Sequence, residues 1–226
     1  GSQAGFADGP HQTAMFQYPH GVAVGPNGME VYVADTWNHR IRTIALGSGI
    51  VSTLAGHGVA GFRDGTAREA RFYYPAGLAV ARQSGVLYVA DSWNSRIRGI
   101  HLVTGKVTTV AGSERRGRED GGLGQARFAF PRGVCVSADE QTLLVADTGN
   151  HLVRGVEIAT GAVHTLAGDG LKGDADGDPA LAEFARPTGV AISADGRLAF
   201  VADSGNGRVR AIPLIPLPSG GVVTDP

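Results

Sequence analysis

The sequence predicts an all-β protein: a β-propeller of four blades, each with four short antiparallel strands. Three observations predict it. The tripeptide Val-Ala-Asp recurs four times, and successive aspartates are 56 residues apart. Short segments rich in β-branched and aromatic residues alternate with Gly, Asn and Asp. Glycine and proline account for 35 and 11 of the 226 residues, as expected for a fold with many turns.

The repeat is defined by residue types that keep one register in every unit. A Pro-x-Gly begins 16 residues before each aspartate, an asparagine follows it by three and an arginine by seven. The repeated residues are Asp35, Asp91, Asp147 and Asp203, then Asn38, Asn94, Asn150 and Asn206, then Arg42, Arg98, Arg154 and Arg210. We expect one domain over residues 3–226, with units of about 3–56, 57–112, 113–168 and 169–226. Gly1 and Ser2 are interpreted as a cloning scar.

Each unit contains four predicted strands. In the first unit they are residues 21–24, 31–34, 40–44 and 51–54, and in the last unit the fourth strand falls at 221–224. The first two strands are apolar on both faces, which indicates sheets covered on both sides. The short connections require antiparallel pairing. Small sheets packed face to face around an axis satisfy both conditions, as in a propeller.

These motifs resemble the NHL-repeat family. Residues 147–154 (DTGNHLVR) carry the Asn-His-Leu that names it, and residues 35–42 (DTWNHRIR) match almost as well. The resemblance covers residues 3–224 and implies a propeller, within a family of binding scaffolds, sensor domains and a few lyases or hydrolases. Family propellers are usually six-bladed, whereas four units are present here. The sequence is consistent with both a closed four-bladed ring and a partial, open propeller. The exposed end sheets of an open propeller would favour dimerisation.

Composition excludes several classes of protein. No apolar run approaches the roughly 20 residues of a membrane helix. The formal net charge of −1 argues against general coating of nucleic acid. The single cysteine, Cys135, excludes an intrachain disulfide framework and a cysteine-rich zinc site, and is interpreted as a small core residue. The sequence assigns no cellular compartment.

The twelve repeated Asp, Asn and Arg residues are interpreted as structural. Each aspartate ends a strand, where its carboxylate can accept loop N–H groups. The arginines can pair with these carboxylates within or between blades. Because an unpaired buried charge is costly, four copies favour neutral pairs over a ring of ligand-binding charges.

Residues that differ between units carry the functional prediction. In a propeller the inter-blade linkers and the Asp-x-x-Asn loops share one face, and here the linkers run to about 20 residues. The candidate partner-binding residues on that face are Trp37, Trp93, Tyr73, Tyr74, His20, Arg132, Arg115 and Arg116. Because Trp, Tyr and Arg dominate interface hot spots, we expect protein or peptide binding there by a non-enzymatic scaffold. The competing interpretation is that Trp37 and Trp93 pack over the blade tops as loop core.

Two other functions are weaker alternatives. The family resemblance also implies the alternative of a propeller hydrolase or lyase with an axial metal, and His20 is the only histidine at the axial Pro-x-Gly position. RNA binding would use Arg115, Arg116, Arg118 and Arg132. Asp174, Asp176 and Asp178 suggest calcium but lack EF-hand spacing, so a solvated acidic loop is favoured. We expect no cofactor, with calcium or zinc as weak alternatives.

Overall fold

A computed structural model of the chain describes residues 3–214. Within this range the strands form four antiparallel sheets arranged around a common axis, so the protein is a four-bladed β-propeller. The predicted fold class is confirmed. The helices of the described range are three-residue 3₁₀ turns, and none of them is long or apolar enough to cross a membrane.

The strands follow the 56-residue period. Blade 1 contains β1 (Gly9–Pro10), β2 (Pro19–Val24), β3 (Glu30–Asp35), β4 (Arg40–Ala45) and β5 (Ile50–Ala55). Blade 2 contains β6 (Gly65–Thr66), β7 (Pro75–Ala81), β8 (Val86–Asp91), β9 (Arg96–His101) and β10 (Lys106–Gly112). Blade 3 contains β11 (Pro131–Val136), β12 (Thr142–Asp147), β13 (Leu152–Glu157) and β14 (Val163–Ala167). Blade 4 contains β15 (Gly189–Ile192), β16 (Leu198–Asp203) and β17 (Arg208–Pro213). The fourth strand expected at 221–224 lies outside the described residues. The 3₁₀ turns are Thr36–Asn38, Ser92–Asn94 and Thr148–Asn150.

The first two blades have five strands rather than the expected four. The extra strands, β1 and β6, are two residues long and come from the linkers that enter each blade. Gly9 pairs with Val51, and Gly65 pairs with Val107 at the same register. The linker therefore covers two residues of the outermost long strand, part of an edge that would otherwise be open.

The core lies between neighbouring blades. The innermost strands β2, β7, β11 and β15 contact one another in succession. Three hydrophobic clusters fill the junctions, each containing one fully buried phenylalanine: Phe72 between blades 1 and 2, Phe128 between blades 2 and 3, and Phe184 between blades 3 and 4. These three phenylalanines, at the same register of blades 2, 3 and 4, therefore belong to inter-blade cores.

The two end blades are less covered in the part of the chain that the structure describes. The side chain of Val22 is 66% exposed, whereas Val134 at the same register of blade 3 is 6% exposed. In blade 4, Val209 is 51% exposed, whereas Ile97 at its register is fully buried. Residues 3–214 thus form three packed blade junctions, with apolar side chains left open on blades 1 and 4.

Candidate functional site

Each repeated arginine joins its sheet to the linker that enters the same blade. In blade 1, Arg42 and Asp35 are fully buried, and their Nη1 and Oδ2 atoms are 2.6 Å apart. The Nη2 atom of Arg42 contacts Asp8 of the linker at 2.5 Å. Asn38 donates to Asp35 and to the Gly5 carbonyl, at 2.8 and 2.7 Å. The corresponding triads are Arg98 with Asp91 and Asp64, Arg154 with Asp147 and Asp120, and Arg210 with Asp203 and Asp176. The pairing is within blades, and it gives every buried charge a partner.

This network also fixes the end of each linker. The second carboxylate oxygen of Asp35 accepts the backbone N–H of Gln17 at 2.8 Å, and the other three aspartates accept the equivalent N–H groups of Tyr73, Ala129 and Ala185. The next residue in each repeat has a positive φ: Tyr18 (46°), Tyr74 (49°), Phe130 (51°) and Arg186 (53°). Each of these precedes a proline, where extended backbone is preferred. A non-glycine residue in this conformation is held by its surroundings, a condition common at binding sites.

Seven rings form a continuous aromatic surface on this face. Tyr18, Trp37, Tyr74, Trp93 and Phe130 follow one another with centroid separations of 4.8 to 5.6 Å, and we call these five residues the aromatic arc. His39 and Tyr73 pack against its middle. Trp37 and Trp93 remain 49% and 45% exposed. The tryptophans therefore pack against neighbouring rings, as loop core would, while leaving about half of their surface accessible.

The aromatic arc borders two adjoining cavities at one end of the propeller axis, which together we call the axial mouth. One cavity, of about 640 Å³, is lined by Trp93, Phe130, Arg132, His151, Arg186, Thr188 and neighbouring small residues. The other, of about 560 Å³, is lined by Tyr18, His20, Trp37, Tyr74, Trp93 and Arg132 among others. Trp93 and Arg132 line both. The tyrosines and tryptophans of the mouth come from blades 1 and 2, Phe130 and Arg132 from blade 3, and Arg186 from blade 4.

The sequence-predicted site residues divide between the mouth and its surroundings. His20, Trp37, Tyr74, Trp93 and Arg132 line the axial mouth. The guanidinium carbon of Arg116 lies 3.9 Å from the centroid of the Phe130 ring, so Arg116 extends the arc outward. Tyr73 packs behind Tyr74 and lines neither cavity. Arg115 is exposed and also lines neither cavity.

The sequence reasoning missed several residues of the mouth, among them Tyr18, Phe130 and Arg186. They share the register of Tyr74, one residue before each proline of the Pro-x-Gly motif. The signal was therefore present in the repeat. The four units are otherwise similar, but this position is occupied by Tyr, Tyr, Phe and Arg in turn. It is therefore a position where the side chain varies while the backbone conformation stays the same.

The candidate metal ligands are engaged separately. Asp176 pairs with Arg210, Asp174 lies 3.6 Å from Arg208, and Asp178 accepts the N–H of Ala180. Among residues 3–214, no group of three or more His, Cys, Asp or Glu side chains is arranged to hold a metal ion. Ala76 and Arg132, which share the cavity of His20, are not metal ligands.

Cys135 lies on β11 and packs against the core between blades 3 and 4. Burial raises the pKa of its thiol to about 12, so it is protonated at neutral pH and is a poor nucleophile.

Comparison with known proteins identifies the repeat. The NHL repeat family model matches residues 16–44, 72–100, 128–155 and 184–212, one match in each blade. Among curated proteins, the chain is 28% identical over 280 residues to Protein SUPPRESSOR OF QUENCHING 1, chloroplastic, of Arabidopsis thaliana, covering 94% of this chain and 26% of that protein. It is 27% identical over 301 residues to NHL repeat-containing protein 2 of Gallus gallus, covering 95% of this chain and 41% of that protein. The chain thus spans less than half the length of these relatives.

Solved structures share the fold at low sequence identity. An auxiliary nutrient binding protein from Bacteroides ovatus superposes with a TM-score of 0.69 at 21% identity, over 88% of this chain and 48% of that chain. A chain of a nidogen/laminin complex superposes with a TM-score of 0.63 at 15% identity, over 86% of this chain and 60% of that chain. These similarities concern the fold alone. With four matched repeats that cover about half of its residues, the chain belongs to the NHL-repeat family.

Proposed function

We propose that this propeller is a non-enzymatic scaffold that binds a protein or peptide segment at the axial mouth. The observation that carries the proposal is the aromatic arc: five rings, each in contact with the next, with both tryptophans about half exposed beside Arg132. Trp, Tyr and Arg are the residues most enriched in interface hot spots. Cavities of about 640 and 560 Å³ are large enough to take one or two side chains of a partner.

The backbone of the mouth supports the same function. Positive φ values at Tyr18, Tyr74 and Phe130 are held by buried ion-pair networks beneath them. A surface fixed before the partner arrives loses less conformational entropy on binding. Rigid aromatic anchors on a packed sheet therefore suit recognition better than mobile loops would.

The alternative functions gain less support from the site. An axial hydrolase or lyase would need several ligands around one ion, and His20 has Arg132 and Ala76 as its axial neighbours. For RNA binding, the arginine run divides: Arg116 stacks on Phe130, whereas Arg118 donates to the carbonyl of Asp169 at 3.3 Å. No specific observation raises either function above peptide binding.

Selection from a displayed random peptide library tests the proposal. The folded protein should enrich a common sequence motif, and the Trp37→Ala/Trp93→Ala double variant should lose it. Truncating one hot-spot residue costs about 2 kcal/mol or more, so the double variant should lower the affinity for a selected peptide by at least about 30-fold. Met29→Ala is the matched control, because Met29 is 57% exposed in the turn between β2 and β3, at the opposite end of β3 from Trp37. Equal enrichment by a folded double variant, or no enrichment by the wild type, would overturn the proposal.

A further inference from the structure

Two guanidinium groups of the axial mouth have no partner among the residues that the structure describes. The side chains of Arg132 and Arg186 are exposed and make no hydrogen bond or ion pair within residues 3–214. By contrast, Arg42 and Arg98 are fully buried, and each contacts two carboxylates. The repeated arginines of this chain are paired with carboxylates, whereas the guanidinium groups of Arg132 and Arg186 are available to a ligand.

The positive charge of the mouth is not balanced locally. The chain has 21 Asp and Glu residues against 20 Lys and Arg, yet no carboxylate is among the described residues that line either cavity. Burial and the charge of Arg132 lower the pKa of His20, and burial and Arg186 lower the pKa of His151. Both imidazoles are therefore neutral at pH 7. The guanidinium groups supply the charge, and the site favours an anion.

The anion-binding groups face an aromatic wall in the same cavity. Arg132 and Arg186 line it together with Trp93 and Phe130. Phe130 and Arg186 occupy equivalent positions of successive repeats, with φ values of 51° and 53°. One backbone conformation therefore presents a ring from blade 3 and a guanidinium from blade 4 to one space. Arg132 also lines the neighbouring cavity beside Trp37 and Tyr74, which extends the ring-and-cation arrangement along the arc.

We propose that the axial mouth selects peptide segments in which an aromatic side chain lies next to a carboxylate. The ring of the ligand stacks against Trp93 and Phe130, and the carboxylate receives hydrogen bonds from Arg132 and Arg186. A planar guanidinium forms two parallel hydrogen bonds with a carboxylate, which fixes the orientation of the ligand as well as its charge. This inference rests on the proposed function and names the chemistry of its ligand.

Such a carboxylate can come from a Glu or Asp side chain or from a free C-terminus. Three synthetic peptides separate these sources: acetyl-Gly-Tyr-Glu-Gly-amide, acetyl-Gly-Gly-Tyr with a free C-terminal carboxylate, and the neutral acetyl-Gly-Tyr-Gln-Gly-amide. An oligouridine of eight nucleotides serves as a fourth probe, because phosphates and bases would also suit arginines beside aromatic rings. Intrinsic fluorescence reports on the site directly, since Trp37 and Trp93 are the two tryptophans of the protein and both line the mouth.

At low ionic strength we expect one of the two carboxylate peptides to bind at least about tenfold more tightly than the neutral peptide. Arg132→Gln should reduce that affinity by about tenfold, and Arg186→Gln should weaken it as well. Arg82→Gln is the matched control, because Arg82 is exposed just after β7, at the end of that strand away from the mouth. It removes the same charge from the opposite face and should leave binding unchanged.

The outcomes separate this inference from the proposed function. Equal affinity for the neutral peptide, or no change on Arg132→Gln, overturns the carboxylate inference. The scaffold proposal stands in that case if Trp37→Ala/Trp93→Ala still abolishes capture of selected peptides. Tighter binding of oligouridine than of any peptide overturns the inference in favour of a nucleic-acid ligand. Failure of every peptide, synthetic and displayed, overturns both proposals.

Discussion

The Nδ1 atom of His39 accepts a hydrogen bond from the backbone N–H of Tyr74 at 3.2 Å, across the junction between blades 1 and 2. His151 does the same for Arg186 at 3.0 Å, across the junction between blades 3 and 4. In both cases the imidazole bonds a residue of positive φ that lines the axial mouth. The shared register of these two histidines, visible in the sequence, therefore corresponds to a shared structural role beside the candidate site.

Replacing His39 should loosen the mouth without unfolding the protein. His39→Ala removes one hydrogen bond to the N–H of Tyr74, so we expect a loss of about 1 kcal/mol in the free energy of unfolding. The affinity for a peptide selected on the wild type should also fall, because Tyr74 is no longer held in place. Urea denaturation and fluorescence titration measure the two effects.

Ser95→Ala is the control at the same register of blade 2. Ser95 is fully buried, and its hydroxyl has no hydrogen-bond partner in the described part of the chain, so its removal should leave stability unchanged or slightly increased. A His39→Ala protein as stable as Ser95→Ala, with unchanged peptide affinity, would contradict the assigned role of His39.

The contribution of His39 and His151 to stability should fall as the pH drops below about 6.5, the pKa of histidine in an unfolded chain. Burial, and next Arg40, lower the pKa of His39; burial, then Arg186 and Lys172, lower that of His151. A lowered folded-state pKa means that the unfolded chain binds more protons. The histidine contribution is therefore fully present above pH 6.5 and is lost as the pH falls through the folded-state values.

The pH effect is best measured as a difference between proteins. Burial raises the pKa of Asp91 and Asp147 to about 6, so the folded protein binds more protons at these groups and their contribution to stability rises as the pH falls. In urea unfolding between pH 7.5 and 5, the free energy of unfolding of the wild type should therefore fall by more, or rise by less, than that of the His39→Ala/His151→Ala variant. Parallel curves for the two proteins would rule out a histidine contribution.

The buried ion pairs should be among the most sensitive positions of the fold. Arg98→Met leaves Asp91 fully buried without its cation, so we expect a loss of roughly 3–5 kcal/mol in unfolding free energy, or failure to fold. Asp64→Asn removes the second carboxylate that pairs with Arg98. Because the Asp64 side chain is 40% exposed, this change should cost much less stability. Thermal and urea unfolding of both variants give the comparison. Equal losses would show that the buried partner is no more important than the linker partner.

Much of the fold was predictable because one period determines it. The 56-residue spacing of Asp35 and its equivalents places the same strand, turn and ion pair in every blade. The two short linker strands, β1 and β6, were not predictable from this period. β1 and β6 form because linker backbone meets the edge of the last long strand, a tertiary contact with no side-chain pattern of its own.

The candidate site was predicted in part. Trp37 and Trp93 were identified because the equivalent positions of the third and fourth units hold glycine. Tyr74 was identified because it lies on the linker between the two blades that carry the tryptophans. Tyr18 and Phe130 were missed because a residue before proline is expected to have an extended backbone. Both instead have a positive φ, which turns the side chain in a direction that the sequence does not indicate. The positive φ arises from the network beneath it, so the assembly of one mouth from four repeats required the three-dimensional structure.

The packing of the innermost strands makes a final prediction that uses two equivalent glycines. A Cβ added to Gly77 would collide with backbone atoms of Arg132 in the next blade, whereas one added to Gly189 meets, within residues 3–214, only the Ala202 side chain, at 3.4 Å. Gly77→Ala should therefore lower the free energy of unfolding by at least about 2 kcal/mol, a size typical of overpacking. Gly189→Ala should change it by less than about 0.5 kcal/mol, as at an open surface position. Urea unfolding combined with light scattering tests whether the face of blade 4 that points away from blade 3 is covered in solution. A large loss for Gly189→Ala, accompanied by a change in oligomeric state, would mean that another surface, such as a second copy of the chain, packs there as one blade packs on the next.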